Sequence, residues 1–442
     1  MSMPPSLLIT STLASGEAPQ PFTWHLPPSK SLLARQLVLA SLEGRPLPNN
    51  LDSREDLPED IHALLSALRR ETEGASVISV GESGTAMRFM TAYLSAKATR
   101  SLRLEGTARQ YERPIAPLVE AMRQLGAKID YLEREGYPPL SIEPAVLHGG
   151  RVTLDASHSS QYLSALLLLA PILQERVEIS LTHPLVSAPY ALMTQAVLQG
   201  VGYPWGTQED GAFTYDPVDR IEAKQLPQLP LVEEADWSAA SYAYALISLL
   251  PIGAECRLPR LILPSAQGDS LYLPSLFEAL GVTTEVGDGV VRLRKVCLPQ
   301  QKSFHAHLSS CPDLVPALVT ALVGNDVAFR IEGIGHLRIK ESDRLGALAS
   351  EFLKLHIPLC VEADVLSWDR QQLTASTASP ISSSRPFHPP QIDPHQDHRI
   401  AMALALMAVR VKQLCISSPD CVKKSFPSYW EQLGEILCLQ IQ

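Results

Sequence analysis

Pro117-Leu118-Val119-Glu120-Ala121-Met122-Arg123-Gln124-Leu125-Gly126-Ala127-Lys128-Ile129-Asp130-Tyr131 contains the plan of the whole chain. Leu118, Met122 and Leu125 share one helical face, Gly126 stops the helix, and Lys128-Ile129-Asp130 alternates as a strand does. Related helix-then-strand patterns run from Pro189 to Gly202, from Leu273 to Val286 and from Asp343 to Val361. In the last of these, Leu345, Leu348, Ala349 and Phe352 fall at i, i+3, i+4 and i+7. The units return at intervals of roughly 70 to 80 residues, too long for one solenoid repeat and suited to a βαβ unit with extra strands. The spacing predicts an α/β protein built from repeated units.

A chain of 442 residues exceeds one ordinary core, so two domains are expected. One crossing is expected near His25 to Pro28, where a Pro-Pro pair interrupts a strand pattern. Another is expected near Gln225 to Ala235, which is proline-bearing and extended. Thr374 to Pro394, rich in Ser and Pro, reads as an exposed loop. The net charge of −10 argues against a binder of nucleic acid that relies on a broad basic surface. Seven scattered cysteines without a Cys-x-x-Cys pair indicate neither a disulfide framework nor a zinc site. The start carries no basic n-region, and runs such as Leu163 to Leu173 are too short to span a bilayer. A cytoplasmic protein is expected, with no metal and no cofactor.

Three separated stretches bring small or hydroxyl residues together with cations, as phosphate and carboxylate oxygens require. In the first, Pro27-Pro28-Ser29-Lys30-Ser31 with Arg35, Ser29 can cap a helix that carries both cations. The second, Gly81 to Arg88, runs two glycines into an apolar helix, and a ligand can approach Gly84 closely. In the third, Lys340-Glu341-Ser342-Asp343-Arg344, a helix start is expected on which the cations, four apart, share a face. Each taken singly is explained as well by a surface helix start or a tight turn. Arg109 to Pro114, Ser157 to Gln161 ahead of an expected helix Tyr162 to Leu173, Asp397-His398-Arg399 ahead of an expected helix Ile400 to Ala408, and Lys423 to Pro427 add further donors. Asp313 opens the apolar run Leu314 to Val323, and helix capping accounts for it. The histidines show no metal-ligand spacing.

Read in order, these motifs resemble the 5-enolpyruvylshikimate-3-phosphate synthases over nearly the whole chain. The specific matches are Gly84-Thr85-Ala86-Met87-Arg88-Phe89, Glu112-Arg113-Pro114-Ile115, Ser159-Ser160-Gln161-Tyr162, Gln267-Gly268-Asp269, Lys340 to Leu345, and Asp397 to Met402. The resemblance implies an α/β, two-domain enolpyruvyl-transferase-like fold. Each domain would hold three βαβαββ-like units about a pseudo-threefold axis, with the active site in the interdomain cleft. One domain would span 27–232, and the other 1–26 with 233–442.

The implied reaction moves the enolpyruvyl group of phosphoenolpyruvate to the 5-hydroxyl of shikimate 3-phosphate and releases phosphate. By position, Lys30, Ser31, Arg35, Ser159, Ser160, Ser187, Tyr190, Asp313, His336 and Lys340 would hold shikimate 3-phosphate. Lys30, Gly84, Arg113, Gln161, Arg344, Arg399 and Lys424 would hold phosphoenolpyruvate. Asp313 would accept the hydroxyl proton and Glu341 would donate one, with Lys30 touching both ligands; Arg88 would be structural support. The implied protein is a monomer that uses these small molecules and neither nucleic acid nor membrane.

Four positions depart from the family pattern. Pro28 stands for Gly, Ala34 for Asn, Glu82-Ser83 for a small or amide pair, and His336 for Asn. A carboxylate at Glu82 opposes anion binding unless it points away or pairs with a cation, and it is expected to face outward. Two other readings compete: transfer of enolpyruvyl to UDP-N-acetylglucosamine, and a non-catalytic anion-binding protein of the same fold. Glu105 to Arg113 lacks the cysteine usual in the sugar-nucleotide enzymes, whereas Asp313, Glu341 and the cations needed for turnover are present.

Overall fold

Helix Ala116–Gln124 buries Leu118, Val119, Ala121 and Met122 and gives way to strand Lys128–Tyr131 through Gly126. Gly126 has φ +96°, and a Cβ there would meet the Val146 carbonyl oxygen at 2.9 Å. Both constraints favour glycine at this turn. The structure is a computed structural model that describes residues 6–11, 13, 17–221, 234–287, 289–370 and 389–441. Most of the Gln225–Ala235 and Thr374–Pro394 stretches therefore lies outside the described residues.

The chain divides into two compact units. One comprises the described parts of Pro28–Glu233 with Ala266–Gly268. The other comprises those of Met1–Pro27, Glu234–Ser265 and Asp269–Gln442. Each has its own apolar core.

In the first unit, strand Val77–Ser79 runs through helix Gly84–Lys97 to the parallel strand Leu102–Glu105. Helix Ala116–Gln124 and the antiparallel pair Lys128–Tyr131 and Leu140–Glu143 follow, and Leu140–Glu143 inserts beside Leu102–Glu105. The result is a βαβαββ unit whose fourth strand lies inside its third. Gly150 to Tyr215 repeats it with the same strand order, through helices Ser160–Leu167 and Ala188–Gly200. Helices Lys30–Leu42 and Glu59–Thr72 pack on the first of these repeats.

The second unit contains three such sheets, and the N-terminal segment completes two of them. Ser303–His307 to Val365–Trp368 forms a contiguous copy around helices Val315–Gly324 and Arg344–Lys354. Phe22–Thr23 pairs in parallel with Glu255–Pro259, and helix Trp237–Leu249 supplies the crossover. Ser6–Thr10 lies between Gln413–Ser417 and Cys438–Ile441, antiparallel to both. A unit assembled from distant segments has the same topology as one assembled from neighbours, because strand order depends on pairing and not on chain continuity.

Local readings differ from the structure at three helix ends. The run Tyr162 to Leu173 is helical only to Leu167, before Pro171, whose ring excludes the preceding residue from the helix. The helix expected from Ile400 to Ala408 spans His398–Ala405, with a short helix Ala408–Val411 after it. Lys340 precedes its helix, which starts at Arg344 with Asp343 as N-cap, so Lys340 and Arg344 are not one helical turn apart.

Candidate active site

In the second unit, Arg344 begins a helix yet is only 1% exposed, and its three nitrogens reach three carboxylates. Nη1 donates to Asp313 Oδ1 at 2.9 Å, Nη2 to Glu341 Oε2 at 2.5 Å, and Nε to Asp397 Oδ2 at 2.7 Å. Arg399 Nη2 donates to the other Asp313 oxygen at 2.7 Å. Two arginines thus share Asp313, and the Asp397 carboxylate also accepts from Ser342 Oγ and caps its own helix at the Arg399 amide. An arginine fork meets several carboxylates with donors fixed in one plane, a geometry that the point charge of lysine does not impose.

Asp313 is not the helix cap that its position suggested. The N-cap of Val315–Gly324 is Leu314, without a side-chain bond, while Asp313 lies in the preceding 3-10 turn and turns its carboxylate to the arginines. Burial alone would raise its proton affinity, but Arg399, Arg344 and Lys340 outweigh burial and hold the carboxyl well below the usual range. Asp269 is different. Burial pushes it up to about 6 despite its bond with the Ser238 hydroxyl. His336 is pushed down to about 4 by burial and by Lys340, so its imidazole is neutral at physiological pH. Lys424, at the end of a 3-10 turn, is buried.

In the first unit, Ser29 caps helix Lys30–Leu42, and its hydroxyl donates to Gln267 Oε1 at 2.7 Å. Lys30 Nζ contacts Asp60 Oδ2 at 2.7 Å. Arg35 is 2% exposed, and its donors reach Thr194 Oγ1, the Ser31 and Tyr190 carbonyls and Ser164 Oγ. None of these partners is a carboxylate, and burial lowers its affinity for its proton to a pKa of about 10. A buried cation balanced only by dipoles projects positive potential around itself.

Gly84 opens helix Gly84–Lys97 behind the cap Ser83, and the Arg113 guanidinium fills the space where a Cβ would stand, 2.3 Å from Nη1. Arg88 donates to the Gly84 and Pro114 carbonyls and to Gln110, tying the two ends of this segment together. Gln161 Nε2 donates to Thr85 Oγ1 at 2.8 Å, which brings the helix capped by Ser159 to the same loop. Ser160 is buried there, and Ser187 Oγ is buried at a residue with φ +53° before helix Ala188–Gly200, near Tyr190. Glu82 is exposed, and its carbonyl accepts from Gln110 Nε2.

Each unit therefore presents cations and hydroxyls gathered from several helix starts. A model of the EPSP synthase (3-phosphoshikimate 1-carboxyvinyltransferase) family matches residues 23–433. The chain belongs to this family. A 3-phosphoshikimate 1-carboxyvinyltransferase of Bacteroides fragilis is 38% identical over 416 residues, 93% of this chain and 94% of the relative. One from Methanosphaerula palustris is 33% identical over 441 residues, 94% and 97% of the two chains. An EPSP synthase structure from Acinetobacter baumannii superposes with a TM-score of 0.67 over 98% of this chain and 99% of its own, at 20% identity, a likeness of fold.

Several residues that shape the site of this family member escape a reading of motifs. Asp60, Thr194 and Ser164 hold Lys30 and Arg35 from other helices, and no local spacing announces them. Tyr242 lies buried close enough to Arg399 and Arg344 for both cations to act on its hydroxyl. In the sequence it is one of two tyrosines in a helix that also carries Ser238, Ser241 and Ser248, so nothing local marks it. Among the described residues no group of three or more His, Cys, Asp or Glu could hold a metal, and no helix is long and apolar enough to cross a membrane.

Proposed function

We propose that this protein transfers the enolpyruvyl group of phosphoenolpyruvate to the 5-hydroxyl of shikimate 3-phosphate, giving 5-enolpyruvylshikimate 3-phosphate and phosphate. The convergence of Arg344 and Arg399 on Asp313 carries the reading, because it joins an anion receptor to a potential proton acceptor. Family membership supplies the reaction class. On this reading Arg344, Arg399, Lys424, Arg113, Gln161, Gly84 and Lys30 hold phosphoenolpyruvate. Lys30, Ser31, Arg35, Ser159, Ser160, Ser187, Tyr190, Asp313, His336 and Lys340 hold shikimate 3-phosphate.

In the addition step the hydroxyl oxygen attacks C2 of phosphoenolpyruvate as its proton passes to Asp313, while Glu341, having taken up a proton when substrate displaces it from Arg344, gives that proton to C3. In the elimination step the C2–O bond to phosphate breaks and C3 returns a proton to Glu341, restoring the double bond. Both carboxylates are ion-paired to Arg344 without substrate. A phosphate or carboxylate of the substrate that takes over the arginine donors frees Asp313 from the charges that suppress its basicity. The substrate anion would then switch on the base that its partner needs.

His336 is suited to hydrogen-bond a substrate hydroxyl in its neutral form, as the amide usual at this position would. We further propose that the protein works as a monomer in the cytoplasm, in two domains of three repeated units each. The test of function is phosphate release from phosphoenolpyruvate with and without shikimate 3-phosphate. Release that depends on shikimate 3-phosphate and is lost in Asp313→Ala is expected; its absence from folded protein overturns the reading. Replacing shikimate 3-phosphate by UDP-N-acetylglucosamine is expected to give none.

A further inference from the structure

Helix Arg344–Lys354 grips the segment before Asp397 at a second point. Glu351, two turns after Arg344 on the same helical face, is 1% exposed. Its Oε2 accepts from the Asp393 amide at 2.9 Å and from Lys354 Nζ at 2.6 Å, and its Oε1 accepts from His395 Nε2 at 3.0 Å. Asp393 Oδ1 accepts in turn from the His395 amide. The segment needs such an anchor, since His395 and Gln396 have φ of +53° and +57°, a left-handed conformation that costs free energy for residues other than glycine. It leads directly into Asp397, which holds Arg344, and Arg399, which holds Asp313. One rigid helix thus fixes both ends of the strained turn, by Glu351 at its start and by Arg344 at its finish.

We propose that Glu351 is a positioning residue that acts through Asp393 and His395 to aim Arg399 and so sets the affinity for phosphoenolpyruvate. The effect on affinity rests on the reading that Arg399 holds that substrate. Glu351 touches no substrate itself. A buried carboxylate that accepts a backbone amide and an imidazole N–H holds a strained turn more firmly than neutral acceptors would.

The test compares Glu351→Gln and His395→Ala with the unmodified enzyme. Both are expected to raise KM for phosphoenolpyruvate about tenfold, with a smaller fall in kcat and no change in KM for shikimate 3-phosphate. His395→Gln, which keeps a donor for Glu351, is expected to recover part of the loss. Lys354→Met, which removes only the 43% exposed partner of the same carboxylate, is expected to leave both constants unchanged. Should Glu351→Gln fail to fold, His395→Ala carries the comparison, because that side chain is 37% exposed. Amide exchange of the folded variants is expected to quicken at 393–400 and not elsewhere in the unit. Unchanged KM for phosphoenolpyruvate in the variants, an equal rise in both KM values, or unchanged exchange at 393–400 overturns the proposal. If the unmodified protein releases no phosphate, the functional reading fails, and amide exchange still decides whether Glu351 orders the turn.

Discussion

Arg344 Nε and Asp397 Oδ2 lie 2.7 Å apart with side-chain exposures of 1% and 0%, an ion pair closed off from water. Asp397 is bound to Arg344, to Ser342 and to the first turn of its own helix, so its charge is the centre about which two helix starts are held. Without the Asp397 charge Arg344 keeps Asp313 and Glu341, so what is lost is the charge-assisted bonding at Asp397 itself. Asp397→Asn is therefore expected to destabilise the second unit by about 1.5–3 kcal/mol, read from the shift of its denaturant midpoint.

Asp313 occupies donors of Arg344 and Arg399, which on the proposed reading are the donors that substrate anions need. Asp313→Asn is expected to abolish turnover while tightening the binding of phosphoenolpyruvate alone, by about tenfold if one charge-assisted contact no longer has to be exchanged. Calorimetric titration of the variant checks this. Weaker binding would mean that the carboxylate orders the arginines more than it blocks them.

Gly84 leaves the space that the Arg113 guanidinium fills. In Gly84→Ala the obstacle is the far end of a flexible side chain, so the fold is expected to persist with a midpoint shift under about 1 kcal/mol. The displaced guanidinium is expected to raise KM for phosphoenolpyruvate about tenfold, with a smaller change for shikimate 3-phosphate. Steady-state kinetics with each substrate varied in turn decides between these outcomes.

His336 and Asp269 give the second unit opposing pH responses. His336 is lowered to about 4, so between about 4 and its ordinary value near 6.5 the unfolded chain binds the extra proton, and stability rises with pH. Its contribution is complete above about 6.5 and is lost as the pH falls through 4. Asp269 is raised to about 6, so between its ordinary value near 3.8 and 6 the folded chain binds the extra proton, and stability falls as pH rises. His336→Asn is expected to flatten the rise toward neutral pH, and Asp269→Asn to remove the opposing fall. Denaturant midpoints at pH 4.5, 5.5 and 7 measure both.

Much of the fold was legible because its signals are local. The stripe Leu118, Met122, Leu125, the stop at Gly126 and the following alternation were enough to predict a helix and a strand, and both form. Ser29 and Ser83 cap the helices they precede, since the capping bond spans only three residues. The family resemblance makes Arg88 structural support, and it donates to the Gly84 and Pro114 carbonyls and to Gln110.

Asp313 shows what local reading leaves open. Next to an apolar helix an aspartate is explained by capping, and its actual partners stand 31 and 86 positions away. Asp60, Thr194 and Glu351 are equally silent in the sequence, because each is defined by a group on another element. The sequence by itself determined which segments become helices and strands, where the hydroxyls and cations lie, and to which family the motifs point, since these depend on neighbours along the chain. Tertiary structure decided which carboxylate neutralises which arginine, which side chain fills the space at Gly84, and how the turn before Asp397 is braced. Charge pairing and steric exclusion depend on distance in space, which the order of residues does not contain.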